Sequence, residues 1–253
     1  MIPLLRPDWP APKGVVAAMS LRGGGVSGGP WASLNLGGAV GDEAAAVAEN
    51  RERFAAALGA RPVWLRQVHG ADVLRLGRRD PGLDLPTADA AWTTEPGIAC
   101  TVLVADCLPV LFAARDGSAV AAAHAGWRGL AAGVLEATVD ALCRGAGLAP
   151  NDLLAWLGPC IGPRQFEVGA DVLLAFGQDP AAPDTQRFAP RARADGSARW
   201  LANLHLLACD RLRAAGLVDA SAADRCTVEE GSAFFSFRRD GVSGRHAAAV
   251  WRC

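Results

Sequence analysis

The chain has no CxxC pair, no dense cysteine framework and no serine-, glycine- or glutamine-rich stretch long enough to serve as a disordered linker. Its cysteines, at 100, 107, 143, 160, 209, 226 and 253, are odd in number and scattered. That pattern excludes a secreted disulfide scaffold and fits reduced thiols in a cytosolic compartment, where most cysteines are small core residues and a few are ligands or nucleophiles. No apolar window approaches the ~18 residues of a membrane span, and the opening segment MIPLLRPDWPAPKG is broken by prolines and lacks a small-residue cleavage site. A cytoplasmic protein that neither enters nor crosses a membrane is expected. A net charge of −1 leaves no basic surface for a phosphate backbone, so nucleic acid is not an expected partner.

What is present is apolar material. With 253 residues, 51% hydrophobic and 20% charged, the chain can build a sizeable core, and no internal repeat or composition shift divides it. One domain over residues 1–253 is expected. Residues 15–21 read as a strand, and residues 22–30, with five glycines, as a loop. Asp42 is a candidate N-cap for a helix over 43–58, where Val47, Phe54 and Leu58 fall at helical spacing and Gly59 ends the run. Further helices are expected over 129–144, after Val168, and over 200–215. Strands are expected in PVWLRQV, DVLRL, DAAWT, IACTVLVAD, PVLFAA, SAVAAAHA and LLAWLG, near CTVE, and in AAAVW. Continuous apolar stretches such as CTVLVADCLPVLFAA require cover on both faces. Strands clustered mid-chain with helices before and after define an α+β, or mixed α/β, class: mixed sheets in a layered sandwich covered by helices.

Three segments place a ligand or nucleophile beside a breaker of regular structure: Gln67-Val68-His69-Gly70, Ala105-Asp106-Cys107-Leu108-Pro109 and His124-Ala125-Gly126-Trp127-Arg128-Gly129. Each ends an apolar run, the position where layered α/β proteins build sites. Two imidazoles and a thiolate suit zinc and leave a fourth position for water or substrate. The separations, 38 and 17 residues, match no local zinc-finger spacing. Two other readings stay open: ordinary core residues, or a Cys107 nucleophile with His124 as its base, suited to amide hydrolysis. His205 and Cys209, one helical turn apart in LANLHLLACD, read as core; His246 has no evident partner and reads as structural or exposed.

RQVHG (66–70), ADCLPVLF (105–112), HAGWRGLAAGVLEATV (124–139), LGPCIGP (157–163), FEVG (166–169) and FFSFRRDGVSGR (234–245) resemble the bacterial laccase-domain family. Names attached to that family include purine nucleoside phosphorylase, polyphenol oxidase and peptidoglycan editing factor. SLNLG (33–37) and VGD (40–42) extend the likeness toward the N-terminus. The resemblance implies that His69, Cys107 and His124 are ligands of a catalytic Zn2+, and that the sandwich is similar to the cysteine-hydrolase-like fold of a toxin deamidase. Ala39 stands where members of the family often carry histidine before VGD, so no role of that histidine transfers.

The implied activities are phosphorolysis of adenosine, inosine and methylthioadenosine, with deamination of adenosine; some members are described as copper phenol oxidases. Zinc has no redox change to offer, and one His₂Cys set is too few ligands for a multicopper cluster. Phosphorolysis needs cations around phosphate: Arg128, beside His124, is the first candidate, Arg238 and Arg239 the next. Cys107, His124 and Arg128 are the expected catalytic residues; Asn35, Gln67 and Phe235, which lie in the resembling motifs, are candidate substrate contacts alongside Arg128. Asp106 is a candidate proton shuttle or backbone cap, and in an unbroken strand it points away from Cys107. The H-x-E and P-C-x-x-C signature of nucleobase deaminases is missing. The expected partners are a nucleoside and phosphate, handled by a monomer or weak homo-oligomer. The alternatives are a cysteine hydrolase or amidase of cell-wall precursor peptides, a binding protein without turnover, and a copper phenol oxidase.

Overall fold

The computed structural model describes residues 2–77 and 85–253. Strands β1 (Leu4–Leu5) and β2 (Val15–Ser20) precede helix α1 (Ala44–Leu58), followed by β3 (Arg61–Val63), β4 (Val73–Arg75), β5 (Ala90–Thr93), β6 (Ile98–Val104), β7 (Leu108–Ala114) and β8 (Val120–Ala125). Helices α2 (Trp127–Ala131) and α3 (Val134–Ala146) lead to β9 (Leu153–Leu157), β10 (Glu167–Val168), α4 (Ala170–Ala175), β11 (Phe188–Ala192) and β12 (Ala198–Ala202). The chain then forms α5 (Leu204–Ala214), β13 (Ala220–Ala222), α6 (Phe237–Asp240) and β14 (His246–Arg252).

The strands make a five-stranded sheet ordered β1-β2-β14-β6-β3, a six-stranded sheet ordered β13-β9-β7-β8-β5-β4, and a small sheet ordered β10-β12-β11. Both large sheets are mixed, with parallel pairs at β3/β6, β4/β5 and β13/β9. Alternation along each strand assigns the layers. In β6 and β14, Cys100, Val102, Ala248 and Val250 meet Leu111, Ala113, Val120 and Ala122 of the second sheet. Their neighbours Ala99, Ala247, Ala249 and Trp251 turn the other way, onto Phe54 and Leu58 of α1. In β7 and β8, Val110, Phe112, Ala121 and Ala123 face α3 and α5 through Leu135, Val139, Leu207 and Leu212. The order of layers is helix, sheet, sheet, helix, which explains why the central strands are apolar on both faces.

Three expectations need correction. Asp42 does not cap α1: Glu43 holds the N-cap position, while the Asp42 carboxylate accepts from Ser27 and Asn35. The helix expected over 129–144 is two helices, because Gly133 takes φ +92° between them. Residues 200–202 belong to β12, so the last long helix starts at Leu204, capped by the Asn203 side chain accepting from the Leu206 amide. The strand expected near CTVE is β13, just upstream, and Cys226 itself makes an isolated bridge to Cys160.

Candidate metal centre

β3 ends at Val63, and the rest of PVWLRQV is a loop that runs under the edge of the first sheet. Gln67 takes over the role of the missing ladder: its side chain donates to the Leu103 carbonyl at 2.8 Å and accepts from the Leu103 amide at 2.7 Å. This clamp fixes the turn that carries His69, which sits at φ +60°. The left-handed turn points three amides inward, from Val68, His69 and Gly70, and all three donate to the carboxylate of Asp89 at 3.1, 2.9 and 2.7 Å.

Asp89 is fully buried, just before β5, and also accepts from Nδ1 of His124 at 2.8 Å. A carboxylate is acceptor-only, so Nδ1 of His124 carries a proton, and Nε2 is the nitrogen left to serve a metal ion. Burial raises the Asp89 pKa, but the hydrogen bonds from His124, Gly70 and Val68 outweigh it and hold the group ionised. His124 is the penultimate residue of β8, with only 3% of its surface exposed. Its ring stands edge-on to that of His69, with centroids 4.7 Å apart.

Cys107 comes from the β6–β7 turn. The strand breaks there: Asp106 takes φ +83°, and its carboxylate accepts from the Thr227 hydroxyl at 2.6 Å and the Arg238 amide at 2.7 Å. Of the two roles considered for Asp106, the structure supports backbone and hydroxyl anchoring. The Cys107 Sγ lies 3.7 Å from His69 Nε2, and one ligand atom each of His69, Cys107 and His124 fall within 4.8 Å of one another. Among the described residues this is the one such group. Burial disfavours the Cys107 thiolate, yet the His124 and His69 imidazoles more than offset it, bringing its pKa from 9.0 down to about 6. Burial pushes the His124 pKa down, but the thiolate and Asp89 reverse the direction, and it is raised.

The glycines of HAGWRG are there for space. A Cβ on Gly126 would lie 2.8 Å from the His69 ring and 2.9 Å from the Cys107 sulfur; one on Gly129 would lie 2.8 Å from the Gly70 carbonyl. The donor set fits zinc: a soft thiolate and two imidazoles, one locked in the right tautomer by a carboxylate behind it.

Above the three ligands opens a cavity of about 730 Å³, walled by the 37–40 loop, Gln67, Leu103, Trp127, Phe166 and Phe237 and by Arg51, Arg66, Arg128, Arg238 and Arg245. Arg128 is exposed, its guanidinium 4.3 Å from the Trp127 ring centre. The structure does not bring Asn35 or Phe235 into this space. Asn35 is fully buried; its side chain accepts from the Gly37 and Arg245 amides and donates to Gly37 and Asp42. Phe235 is also fully buried and packs on His246, whose Nε2 accepts from the Phe235 amide. Arg239 is spent on the carbonyls of Thr227, Val228 and Phe234. His205 lies against the Gly158 carbonyl, and His246 is completely buried and not exposed.

Sequence reasoning missed Asp89, Arg51 and Arg245. Asp89 had a signal, a carboxylate opening an otherwise apolar strand; Arg245 closes a motif already singled out; Arg51 sits in an ordinary amphipathic helix and had none.

Comparison with known proteins matches residues 16–253 to the family described as multi-copper polyphenol oxidoreductase laccase. The chain is 49% identical to a Pseudomonas aeruginosa protein named purine nucleoside phosphorylase PA4543, over 98% of this chain and 97% of that one. It is likewise 49% identical to the Escherichia coli protein named purine nucleoside phosphorylase YfiH, over 99% of both chains. Among solved structures it superposes on Neisseria meningitidis NMB0706 with a TM-score of 0.88 and 43% identity, covering 98% of each chain. YlmD from Geobacillus stearothermophilus also gives a TM-score of 0.88, at 34% identity over 98% of this chain and 96% of that one. The mixed α/β sandwich and its His₂Cys centre therefore define a laccase-domain protein. The chain belongs to the multi-copper polyphenol oxidoreductase laccase family, and the curated relatives it resembles here carry purine nucleoside phosphorylase names.

Proposed function

We propose that this chain is a zinc-dependent purine nucleoside phosphorylase that cleaves adenosine, inosine and methylthioadenosine, with adenosine deaminase activity at the same centre. The observation that carries the reading is the His69–Cys107–His124 group at the floor of an arginine-walled cavity whose volume lies in the usual range for small-molecule sites. The names of the relatives point the same way.

Bound by these three residues, zinc supplies a Lewis acid with one open position. The protein's part is orientation and charge. Asp89 fixes the His124 ring, Gly126 keeps the approach clear, and the arginines offer forked donors to phosphate oxygens. Trp127, Phe166 and Phe237 give a purine apolar and aromatic surfaces to lie against. Phosphorolysis is the better supported of the two activities. Asp106, the carboxylate on the cavity wall, is already engaged by Thr227 and Arg238 and has no free oxygen arranged for proton transfer. Copper fits less well, since a cluster of several metals needs more ligands than one His₂Cys set. The reading includes one domain over 1–253, a cytoplasmic location and a monomer or weak homo-oligomer.

A specific observation favours a second reading. Cys107 with its acidified thiol, His124 and Asp89 form a relay of the kind that activates a cysteine nucleophile, suited to an amidase acting on cell-wall precursor peptides. The two readings separate on protein purified without a metal-affinity tag. Plasma mass spectrometry is expected to find near one zinc per chain, absent from Cys107→Ala, and incubation with nucleoside is expected to release free base only when phosphate is present. Metal-free protein that hydrolyses amides would reverse the order.

A further inference from the structure

Arginines across this protein are mostly answered by carboxylates: Arg115 by Asp219, Arg164 by Glu229, Arg187 by Asp210, Arg211 by Glu136 and Arg225 by Glu230. Two half-buried arginines on the cavity wall are not. Arg51 uses Nε on the Leu36 carbonyl at 3.0 Å and lies over Trp64, its guanidinium 4.4 Å from the ring centre. Arg245 uses Nη1 on the carbonyls of Ser243 and Gly244 at 2.9 and 3.1 Å. Among the described residues neither has a carboxylate in hydrogen-bond or ion-pair contact, and burial lowers the pKa of both. Holding a guanidinium partly out of water with only neutral acceptors is costly, and the cost is recovered where an anion arrives from outside.

Both side chains border the 37–40 loop. A Cβ on Gly37 would lie 2.6 Å from Arg245 Cγ, and one on Gly38 would lie 3.6 Å from Arg51 Nη2, so Gly37 leaves room for the Arg245 arm and Gly38 borders Arg51 at van der Waals distance. Asn35 sets this up, since its Oδ1 accepts both the Gly37 and the Arg245 amides at 2.9 and 2.8 Å. The fully buried asparagine thus ties the loop to the Arg245 backbone, and the neighbouring Leu36 carbonyl holds Arg51. The Cys107 thiolate and the Asp106 carboxylate favour the charge of Arg245 without forming an ion pair with it.

We propose that Arg51 and Arg245 form an oxyanion subsite that takes the oxygens of a phosphate group, with the Gly37-Gly38 backbone as one wall. This deepens the phosphorolysis reading and rests on it for the identity of the cavity. The phosphate is either free inorganic phosphate or one carried on a nucleotide, and the test distinguishes the two.

Isothermal titration of inorganic phosphate, and separately of adenosine 5′-monophosphate, is made into the protein as purified, for wild type, Arg51→Met, Arg245→Met and Arg245→Lys. Inorganic phosphate is expected to bind wild type and to weaken about ten- to a hundredfold in either Met variant. Arg245→Lys is expected to recover part of the loss, as a point charge without the fork. Where Arg245→Met fails to fold, Arg51→Met and Arg245→Lys carry the test. Arginine-dependent binding of the nucleotide alone keeps the subsite and assigns it to a substrate's own phosphate. Equal affinities in folded variants for both probes, or no binding of either to wild type, overturns it. Arginine-dependent phosphate binding without phosphorolysis would refute the function and leave the subsite; phosphorolysis with an unchanged phosphate KM in Arg51→Met would do the reverse.

Discussion

Replacing Asp89 by Asn keeps the shape of the side chain and removes its ability to accept on both sides. In the wild type, four donors converge on this carboxylate: the amides of Val68, His69 and Gly70 and Nδ1 of His124, at 3.1, 2.9, 2.7 and 2.8 Å. Oδ1 takes His69 and His124, and Oδ2 takes Val68 and Gly70, so whichever way the asparagine amide is turned, its NH₂ faces two donors. Two charge-assisted bonds are lost in a fully buried place, at about 1.5–3 kcal/mol each, for a destabilisation of at least ~3 kcal/mol. For a chain of this size that is a fall in Tm of at least about 6 °C. If the amide turns its NH₂ to His124, the ring also loses the acceptor that holds its proton on Nδ1, and metal affinity is expected to drop about 10- to 100-fold. Differential scanning calorimetry of the metal-free proteins reads the first effect, and competition with a chromophoric chelator reads the second. A variant that melts within a degree of wild type and holds zinc as tightly would refute the claim that Asp89 organises both the 68–70 turn and the His124 ring.

Gly126→Ala places a methyl 2.8 Å from His69 and 2.9 Å from Cys107; because Gly126 already has an ordinary φ of −61°, the damage is expected at the ligands, seen as weakened chelator-resistant zinc with little change in Tm. In the metal-free protein the Cys107 thiol, with its pKa brought down to about 6, is expected to react with iodoacetamide half-maximally near pH 6 and not near 9. The sign follows from the shift: the thiolate persists as pH falls from 9 and is lost only through 6, and Asp89→Asn, which weakens the charge on His124, is expected to move the midpoint upward. Zinc is expected to protect Cys107 from the same reagent, and failure of protection, measured by peptide mass spectrometry, would place the metal elsewhere. His246, fully buried with its pKa depressed to about 3 by burial, is neutral at all ordinary pH. Its contribution to stability is present above pH 6.5 and lost as pH falls toward 3, so His246→Gln is expected to flatten acid unfolding over that window by circular dichroism.

Much of the sandwich was legible because its strands are read locally. The runs that became β6, β7 and β8 are apolar except for Thr101 and His124, and that near-continuity requires cover on both faces. α1 was legible from Val47, Phe54, Leu58 and the terminating Gly59. The errors fall where a single residue overrides the pattern. Trp200-Leu201-Ala202 runs into Leu204 with no breaker, and only the capping role of Asn203 separates strand from helix. Gly133 divides what reads as one amphipathic helix. Residues 64–68 look like a strand but are held by a side-chain amide clamped on Leu103, which no local window contains. The three candidate ligands were legible as strand ends beside glycine or proline, whereas Asp89, though it opens an apolar strand, shows its role only through partners 19 to 35 residues away in sequence.

The histidines show how far environment, and not residue type, decides the chemistry. The chain has four. Two are consumed by the fold: His205 at the Gly158 carbonyl, His246 at the Phe235 amide, each with its pKa lowered by burial. The other two meet at one thiolate, with a carboxylate behind His124 and no backbone partner competing for either Nε2. A cluster of several coppers needs many imidazoles, and this chain commits half of its small supply to structure. Although the family description speaks of several coppers, the described residues offer one group of donors that could hold a metal ion, and a His₂Cys set with a buried carboxylate behind it suits a Lewis-acid centre.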